Sequence, residues 1–334
     1  MVERSQVIEA LAQAVGDRAS GITVKADGSV GFVLAVDGLD RAGAAKLQAA
    51  AEAAVQAIPG VAQVRAILTA ERGSAPAEPQ RAIKRILAVA SGKGGVGKST
   101  VAANLTVALG AQGFSVGLLD ADIYGPSVPT LLGIDGRASL VDQRLQPMTA
   151  HGIKALSIGM MTDPNKAVVW RGPMAASAMT QMVDLADWGD LDLLVIDLPP
   201  GTGDIQLTMA QKIKPDGAVV VSTPQDLALI DAKRAIAMFG QVGVPVLGIV
   251  ENMSVFVCPH CGGRSHVFGE AGARETAAAL GVPFLGEIPL HATIREASDA
   301  GRPPAAGNGE QAQAFREIAA QVARHLNLAA AHSS

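Results

Sequence analysis

The sequence predicts an α/β protein: a doubly wound, mostly parallel sheet of the P-loop NTPase kind, preceded by a small α+β domain. Three observations predict it. Short, continuously apolar runs alternate with helical stretches beyond residue 83, the pattern of strands covered on both faces. The first of these runs, Ile86-Leu87-Ala88-Val89-Ala90, passes through a glycine-rich loop into an Ala/Val/Leu-rich helical segment. A polar stretch with two prolines, Ala70 to Gln80, separates this region from a shorter one whose elements come in a different order.

Taken in order, Val7, Ile8, Leu11 and Val15 fall on one face of a helix from Ser5 to about Val15, with Ser5 available as its N-cap. Gly21 to Ala26 and Val30 to Val36 flank Asp27-Gly28-Ser29 as a hairpin. Arg41 to Ile58 is an Ala-rich helix closed by Pro59-Gly60, and Val64 to Leu68 is a last strand. Residues 1–70 are therefore expected to form the small domain, 71–82 a linker, 83–328 the P-loop domain and 329–334 a tail. The strands of the larger domain are expected at Ile86–Ala90, Val116–Leu119, Leu193–Ile196, Ala218–Ser222 and Val246–Val250. Shorter ones are expected near Lys154–Ile158 and Pro283–Leu285. The final helix, Gln311 to about Leu326, sets Phe315, Ile318, Val322 and Leu326 on one stripe, which docks on a core.

Composition removes several classes of function. Hydrophobic residues are 49% and charged ones 17% of 334, which excludes a disordered chain. Lys and Arg number 27 against 31 Asp and Glu, a net charge of −4 with no basic stripe, so no nucleic-acid partner is expected. No apolar run approaches the ~18 residues of a membrane span, and the start Met1-Val2-Glu3-Arg4-Ser5-Gln6 is polar. A cytoplasmic protein with no membrane partner is expected. Two cysteines close together do not make a disulfide framework.

The chemistry begins at Gly92-Lys93-Gly94-Gly95-Val96-Gly97-Lys98-Ser99-Thr100. Gly92 and Gly97-Lys98-Ser99 satisfy the P-loop pattern, in which backbone N–H groups and a helix N-terminus surround phosphate oxygens. Lys98 is placed to reach the β and γ phosphates, and the Ser99 hydroxyl to sit on Mg²⁺. Ligands of an open parallel sheet collect at the carboxyl ends of its strands. There stand Asp120-Ala121-Asp122 and Asp197-Leu198-Pro199-Pro200-Gly201-Thr202-Gly203-Asp204. Asp197 is expected on the Mg²⁺ side through water, Asp122 to position the hydrolytic water, and Asp120 to be structural or to stand behind the residues that face the ion. Gly201-Thr202-Gly203 looks like a loop that senses the γ-phosphate. An Asn-Lys-x-Asp pattern for guanine is absent after Val246–Val250, which favours ATP.

Cys258-Pro259-His260-Cys261 holds both thiols two residues apart, half of a four-coordinate soft-metal site. A symmetric dimer completes it if the two loops meet on the two-fold axis, giving a bridging Cys₄ iron–sulfur cluster. Zinc bound with His266 or His260, a redox pair, and inert thiols remain alternatives.

Lys93 lies where an ordinary P-loop needs no particular side chain. With it, the loop resembles the deviant Walker A motif of the MinD/ParA/nitrogenase-iron-protein ATPases, in which that lysine reaches the partner subunit's nucleotide. The resemblance implies a catalytic role in trans for Lys93 and places Asn252, in Glu251-Asn252-Met253, against the base. Together with Asp120-Ala121-Asp122-Ile123-Tyr124-Gly125-Pro126-Ser127, Trp170-Arg171-Gly172-Pro173-Met174, Asp197–Asp204 and Cys-Pro-His-Cys, the chain from about Arg81 resembles the Mrp (ApbC) family. That implies a homodimeric ATPase that takes a [4Fe–4S] cluster from assembly donors and delivers it to apo iron–sulfur proteins. The first 70 residues have a MIP18-like layout, but Val15-Gly16-Asp17-Arg18 and Val36-Asp37-Gly38-Leu39-Asp40 replace that domain's motifs. A docking role is expected of them. A MinD/ParA-like positioning ATPase and a zinc-stabilised regulatory ATPase are the competing functions.

Overall fold

The structure, a computed structural model, describes residues 2–25, 27–36, 39, 41–69, 83–123, 125–142, 144–160 and 172–329. The chain divides into two compact units, residues 1–80 and 81–334. The expected linker, Tyr124, Trp170-Arg171 and the tail beyond 329 lie outside the described residues.

In the first unit, α1 (Arg4–Val15) is followed by β1 (Ala19–Val24), β2 (Ser29–Ala35), α2 (Arg41–Gln56) and β3 (Gln63–Thr69). β1 and β2 are an antiparallel hairpin turning at Gly28, whose φ of 81° a side chain would resist. β3 runs parallel to β2, a pairing that needs the crossover α2 supplies. Alternate residues Val30, Phe32 and Leu34 of β2 bury against Val7, Leu11 and Val15 of α1 and Ala51 and Val55 of α2. Ser5 is not the cap: the helix starts one residue earlier, with Glu3 at the N-cap and the Ser5 hydroxyl donating to the Glu3 carboxylate at 3.4 Å.

The second unit contains β4 (Ile86–Ala90), α3 (Lys98–Ala111), β5 (Val116–Asp120), α4 (Val128–Leu132), β6 (Ser139–Val141), β7 (Arg144–Gln146), β8 (Met148–Ala150) and β9 (Ile153–Ser157). Then come α5 (Gly172–Leu185), β10 (Leu193–Asp197), α6 (Asp204–Ile213), β11 (Gly217–Ser222), α7 (Asp226–Gln241) and β12 (Val246–Val257). The unit ends with β13 (Arg264–Ser265), α8 (Gly272–Leu280), β14 (Phe284–Leu290), α9 (Ala292–Asp299) and α10 (Glu310–His325). Among the described residues, nine strands form one sheet in the order β13-β12-β11-β4-β10-β5-β9-β8, with β14 also on β12, and only β8 and β13 pair antiparallel within it. Every residue of β4, β5, β10 and β11 is buried, which explains their unbroken apolar runs. β4 lies between β10 and β11, so the loop after β4 stands at the centre of the sheet's carboxyl edge.

Two differences from the sequence reading bear on function. β12 does not stop at Val250 but continues to Val257, bending at Met253, whose φ is 58°. It carries the chain from the nucleotide end of the sheet straight to Cys258. The 139–150 segment, unassigned from sequence, forms the short strands β6, β7 and β8. The stripe on α10 docks as expected, with Phe315, Ile318, Val322 and Leu326 in the main core. No helix among the described residues is long and apolar enough to cross a membrane.

Candidate functional site

The loop between β4 and α3 is built by close approaches that only glycine allows. A side-chain carbon on Gly92 would lie 2.1 Å from the Asp231 carbonyl oxygen of α7, and one on Gly97 would lie 2.2 Å from the Asn252 amide nitrogen. Gly95 and Gly97 have φ of 82° and 79°, and Gly97 is the N-cap of α3. Backbone N–H groups at the head of α3 are thus presented where a phosphate can take them. Asn252, expected against the base, donates its amide N–H to the Val96 carbonyl at 2.9 Å and braces the loop from beneath.

Lys98 is buried, and its ammonium donates to Asp197 Oδ1 at 2.5 Å and to Ser99 Oγ at 3.2 Å. Asp197, at the end of β10, is fully buried, and among the described residues its Oδ2 has no hydrogen-bond partner. An orphan carboxylate oxygen beside the Ser99 hydroxyl fits Mg²⁺ held through water, with Ser99 and Asp197 as its two protein groups. Bound there, the ion would supply charge neutralisation on β- and γ-oxygens. Burial raises the Asp197 pKa, opposed by the Lys98 ammonium.

Asp120, one strand over, accepts from the N–H groups of Asp122 (3.0 Å), Ser127 and Val128 (3.1 Å each) and from the Ser157 hydroxyl (3.1 Å). It shapes the turn after β5. Burial, then the charge of Asp197, pushes its pKa up to about 7 against the pull of the Val128 and Asp122 N–H groups. Asp122 is half-buried, close enough to Asp197 to add to its raised pKa, and accepts from the Gly125 N–H at 3.3 Å. Lys93 is half-buried, and among the described residues its ammonium has no ion-pair partner. Gly94 and Gly95 beside it are exposed.

The thiols lie on a different kind of surface. β12 and β13 form the two sides of a hairpin, and its turn is closed by Cys258 N–H to the Gly263 carbonyl and Gly262 N–H to the Cys258 carbonyl, both 2.9 Å. Cys258 is half-buried and Cys261 exposed; both are free. The N–H groups of His260 and Cys261, and the Cys261 thiol, hold the Cys258 thiol below the ordinary range, favouring the ligating thiolate. His266 stands 3.8 Å from Glu270, and among the described residues no three His, Cys, Asp or Glu side chains are grouped to hold a metal ion.

Sequence reading missed three residues here: Ser157 on Asp120, Gln206 on the Pro200 carbonyl at 2.6 Å, and Ser91, whose hydroxyl donates to the Lys93 carbonyl at 2.9 Å. Ser91 and Gln206 lie beside recognised motifs but match no pattern themselves.

Residues 82–323 match a family model of the ParA group described as NUBPL iron-transfer P-loop NTPase. An iron-sulfur cluster carrier protein of Haemophilus influenzae is 52% identical over 250 residues, 74% of this chain and 68% of its own length. The mouse iron-sulfur cluster transfer protein NUBPL is 48% identical over 260 residues, 76% and 82% respectively. Among solved structures, an ADP-bound nucleotide-binding protein of Archaeoglobus fulgidus superposes with a TM-score of 0.61 at 45% identity, covering 67% of this chain and 89% of that one. The cell-division ATPase MinD of Pyrococcus furiosus shares the fold, with a TM-score of 0.57 at 24% identity over 72% of this chain and 99% of its own. A buried lysine–aspartate pair under a phosphate loop, a paired thiol turn on the same chain and these likenesses agree: the chain belongs to the NUBPL iron-transfer P-loop NTPase family.

Proposed function

We propose that this protein is an ATP-dependent carrier of [4Fe–4S] clusters that holds its cargo between two copies of itself and passes it to apo iron–sulfur proteins. The observation that carries the reading is the contrast on one chain between a braced, buried phosphate-loop lysine pair and two free thiols, one half-buried and one exposed, close together on a surface turn. Two thiols per chain make four when two hairpin turns face each other across a two-fold axis. The curated relatives are named as carriers and transfer proteins of iron-sulfur clusters, which supports the choice of cargo.

In this reading Gly92 to Thr100 with Asn252 form the nucleotide site, Lys98 holds the β and γ phosphates, and Ser99 and Asp197 hold Mg²⁺. Asp122 orients the attacking water, and Lys93 offsets charge on the partner subunit's nucleotide. Hydrolysis of ATP and pairing of the subunits are then coupled. β12, which runs from Asn252 under the phosphate loop to Cys258, is the physical path by which nucleotide state reaches the cargo. A cytoplasmic homodimer fed by cluster-assembly donors is the expected form, and the first unit serves to dock partners.

The test is anaerobic loading with iron and sulfide, followed by metal and sulfide analysis and native mass of the wild type and of Cys258→Ser/Cys261→Ser. About four irons and four sulfides per two chains are expected in the wild type, lost in the variant while its ADP affinity stays within about twofold. One zinc per chain without sulfide would sink the carrier reading.

A further inference from the structure

The peptide unit joining Pro200 to Gly201 is held at both ends. Its N–H donates to the carbonyl of Ser91 at 2.9 Å, just ahead of the phosphate loop. Its C=O accepts from Gln206 Nε2, on α6, at 2.6 Å. Gln206 is 8% exposed, and its amide fills the hollow of the turn. A side-chain carbon on Gly201 would lie 3.4 Å from Nε2, and one on Gly203 3.6 Å from Oε1. Gly201 has φ of 107°, a conformation that residues with a side chain rarely adopt. From Ser91 the contacts continue, because its hydroxyl donates to the Lys93 carbonyl at 2.9 Å. One chain of hydrogen bonds therefore runs from α6, through the Pro200–Gly201 peptide and Ser91, to Lys93.

We propose that Gln206 is a positioning residue that clamps the Pro200–Gly203 turn to the phosphate loop, setting both the turn and Lys93 for the γ-phosphate. The inference rests on the ATPase reading above. Its physical basis is that two glycines leave the turn loose unless something fixes it, and a misplacement of the turn is felt only by a nucleotide that reaches it. ADP, lacking the γ-phosphate, binds without that contact. Replacing the amide leaves the Pro200 carbonyl without its donor, whereas a glutamate of equal length has no N–H to offer.

For Gln206→Met and Gln206→Glu, kcat for ATP should fall about tenfold while ADP affinity stays within about twofold. Ser91→Ala breaks the same chain further along, so its loss and that of Gln206→Met should combine to less than their product. Amide exchange at Gly201 in the nucleotide-free protein, about tenfold faster in Gln206→Met, tests the clamp without any hydrolysis. A wild type that exchanges as expected but does not hydrolyse ATP would fail the ATPase reading and keep the clamp. Unchanged exchange at Gly201, or equal losses of ADP and ATP binding together with a lowered Tm, would overturn the clamp and leave Gln206 a packing residue. Strictly multiplicative effects of the two substitutions would also overturn it.

Discussion

The phosphate loop meets the middle of β12 at Asn252, the thiol turn follows its last residue, and the two solve opposite problems. At the loop, the flanks are buried or braced: Lys98 on Asp197, Asn252 on Val96, Gly92 against α7. At the turn, a two-residue strand and two backbone hydrogen bonds hold two accessible thiols. Preorganisation suits a site that must stabilise developing charge, since its dipoles then need no rearrangement. A site that must give up its cargo is served better by exposure and an incomplete ligand set. If this contrast is correct, damage at one end should leave the other end's intrinsic binding intact.

The largest effect should come from Lys98→Ala. It removes the cation proposed to hold the phosphates and leaves Asp197 buried without its ion pair, a loss that costs about 3–5 kcal/mol of stability. ADP binding, followed by calorimetry, should weaken by at least about 100-fold. Iron and sulfide loading at Cys258 and Cys261 should persist in whatever fraction remains folded. Loss of loading in protein shown to be folded by its amide exchange would mean that the two ends are one site.

How far this architecture could be read from sequence depends on how local its causes are. The phosphate loop was legible because its chemistry is written in consecutive residues, and Asp197 because an acid directly follows a buried run. The bond of Gln206 to Pro200 and that of Ser157 to Asp120 were not. Ser157 meets Asp120 only because β9 lies beside β5, a fact of sheet order rather than pattern. Gln206 reaches back because α6 starts immediately after the glycine turn. The continuation of β12 was hidden by its polar middle, Glu251, Asn252 and Ser254. These are buried by specific partners: Glu251 accepts from the Ala273 N–H at 2.7 Å, and the Ser254 hydroxyl donates to the Ile288 carbonyl at 3.2 Å. Burial by hydrogen bonding leaves no hydrophobic signature.

A smaller effect sharpens the contrast within the nucleotide end. Gly97→Ala places a methyl at φ 79° and against the Asn252 amide, costing about 2 kcal/mol in stability and weakening ADP binding correspondingly. Adding Asn252→Ala should return part of the loss by clearing the contact, although it leaves the backbone strain. If the double variant is weaker than the product of the two single ones, Asn252 holds the loop by more than this contact, and the brace is the larger part of its role. An equivalent substitution at Gly262, whose added carbon meets nothing within 4 Å, carries only the strain of its φ of 70° and should leave ADP binding unchanged.

The smallest effect concerns charge. Asp120 has a raised folded-state pKa of about 7 against an ordinary 3.8, so the folded protein holds a proton that the unfolded chain has released between those values. Stability from this group is therefore complete below the unfolded value and is lost as pH rises through the folded one. Between pH 6 and 8, without nucleotide or Mg²⁺, denaturant unfolding of the wild type should lose about 1 kcal/mol from this source. Asp120→Asn should be less stable throughout, since an amide has one accepting oxygen where the carboxyl group accepts on both sides, from Asp122 on one and from Ser127 and Val128 on the other, but its profile over that interval should lack this component. An identical slope in both proteins would show that Asp120 stays ionised in its ring of donors and that hydrogen bonding outweighs burial there. The thiol end offers the opposite sign. Cys258 is shifted down by exposed N–H groups rather than up by burial, so raising pH through its range favours the ligating form while the buried floor of the phosphate site is losing stability.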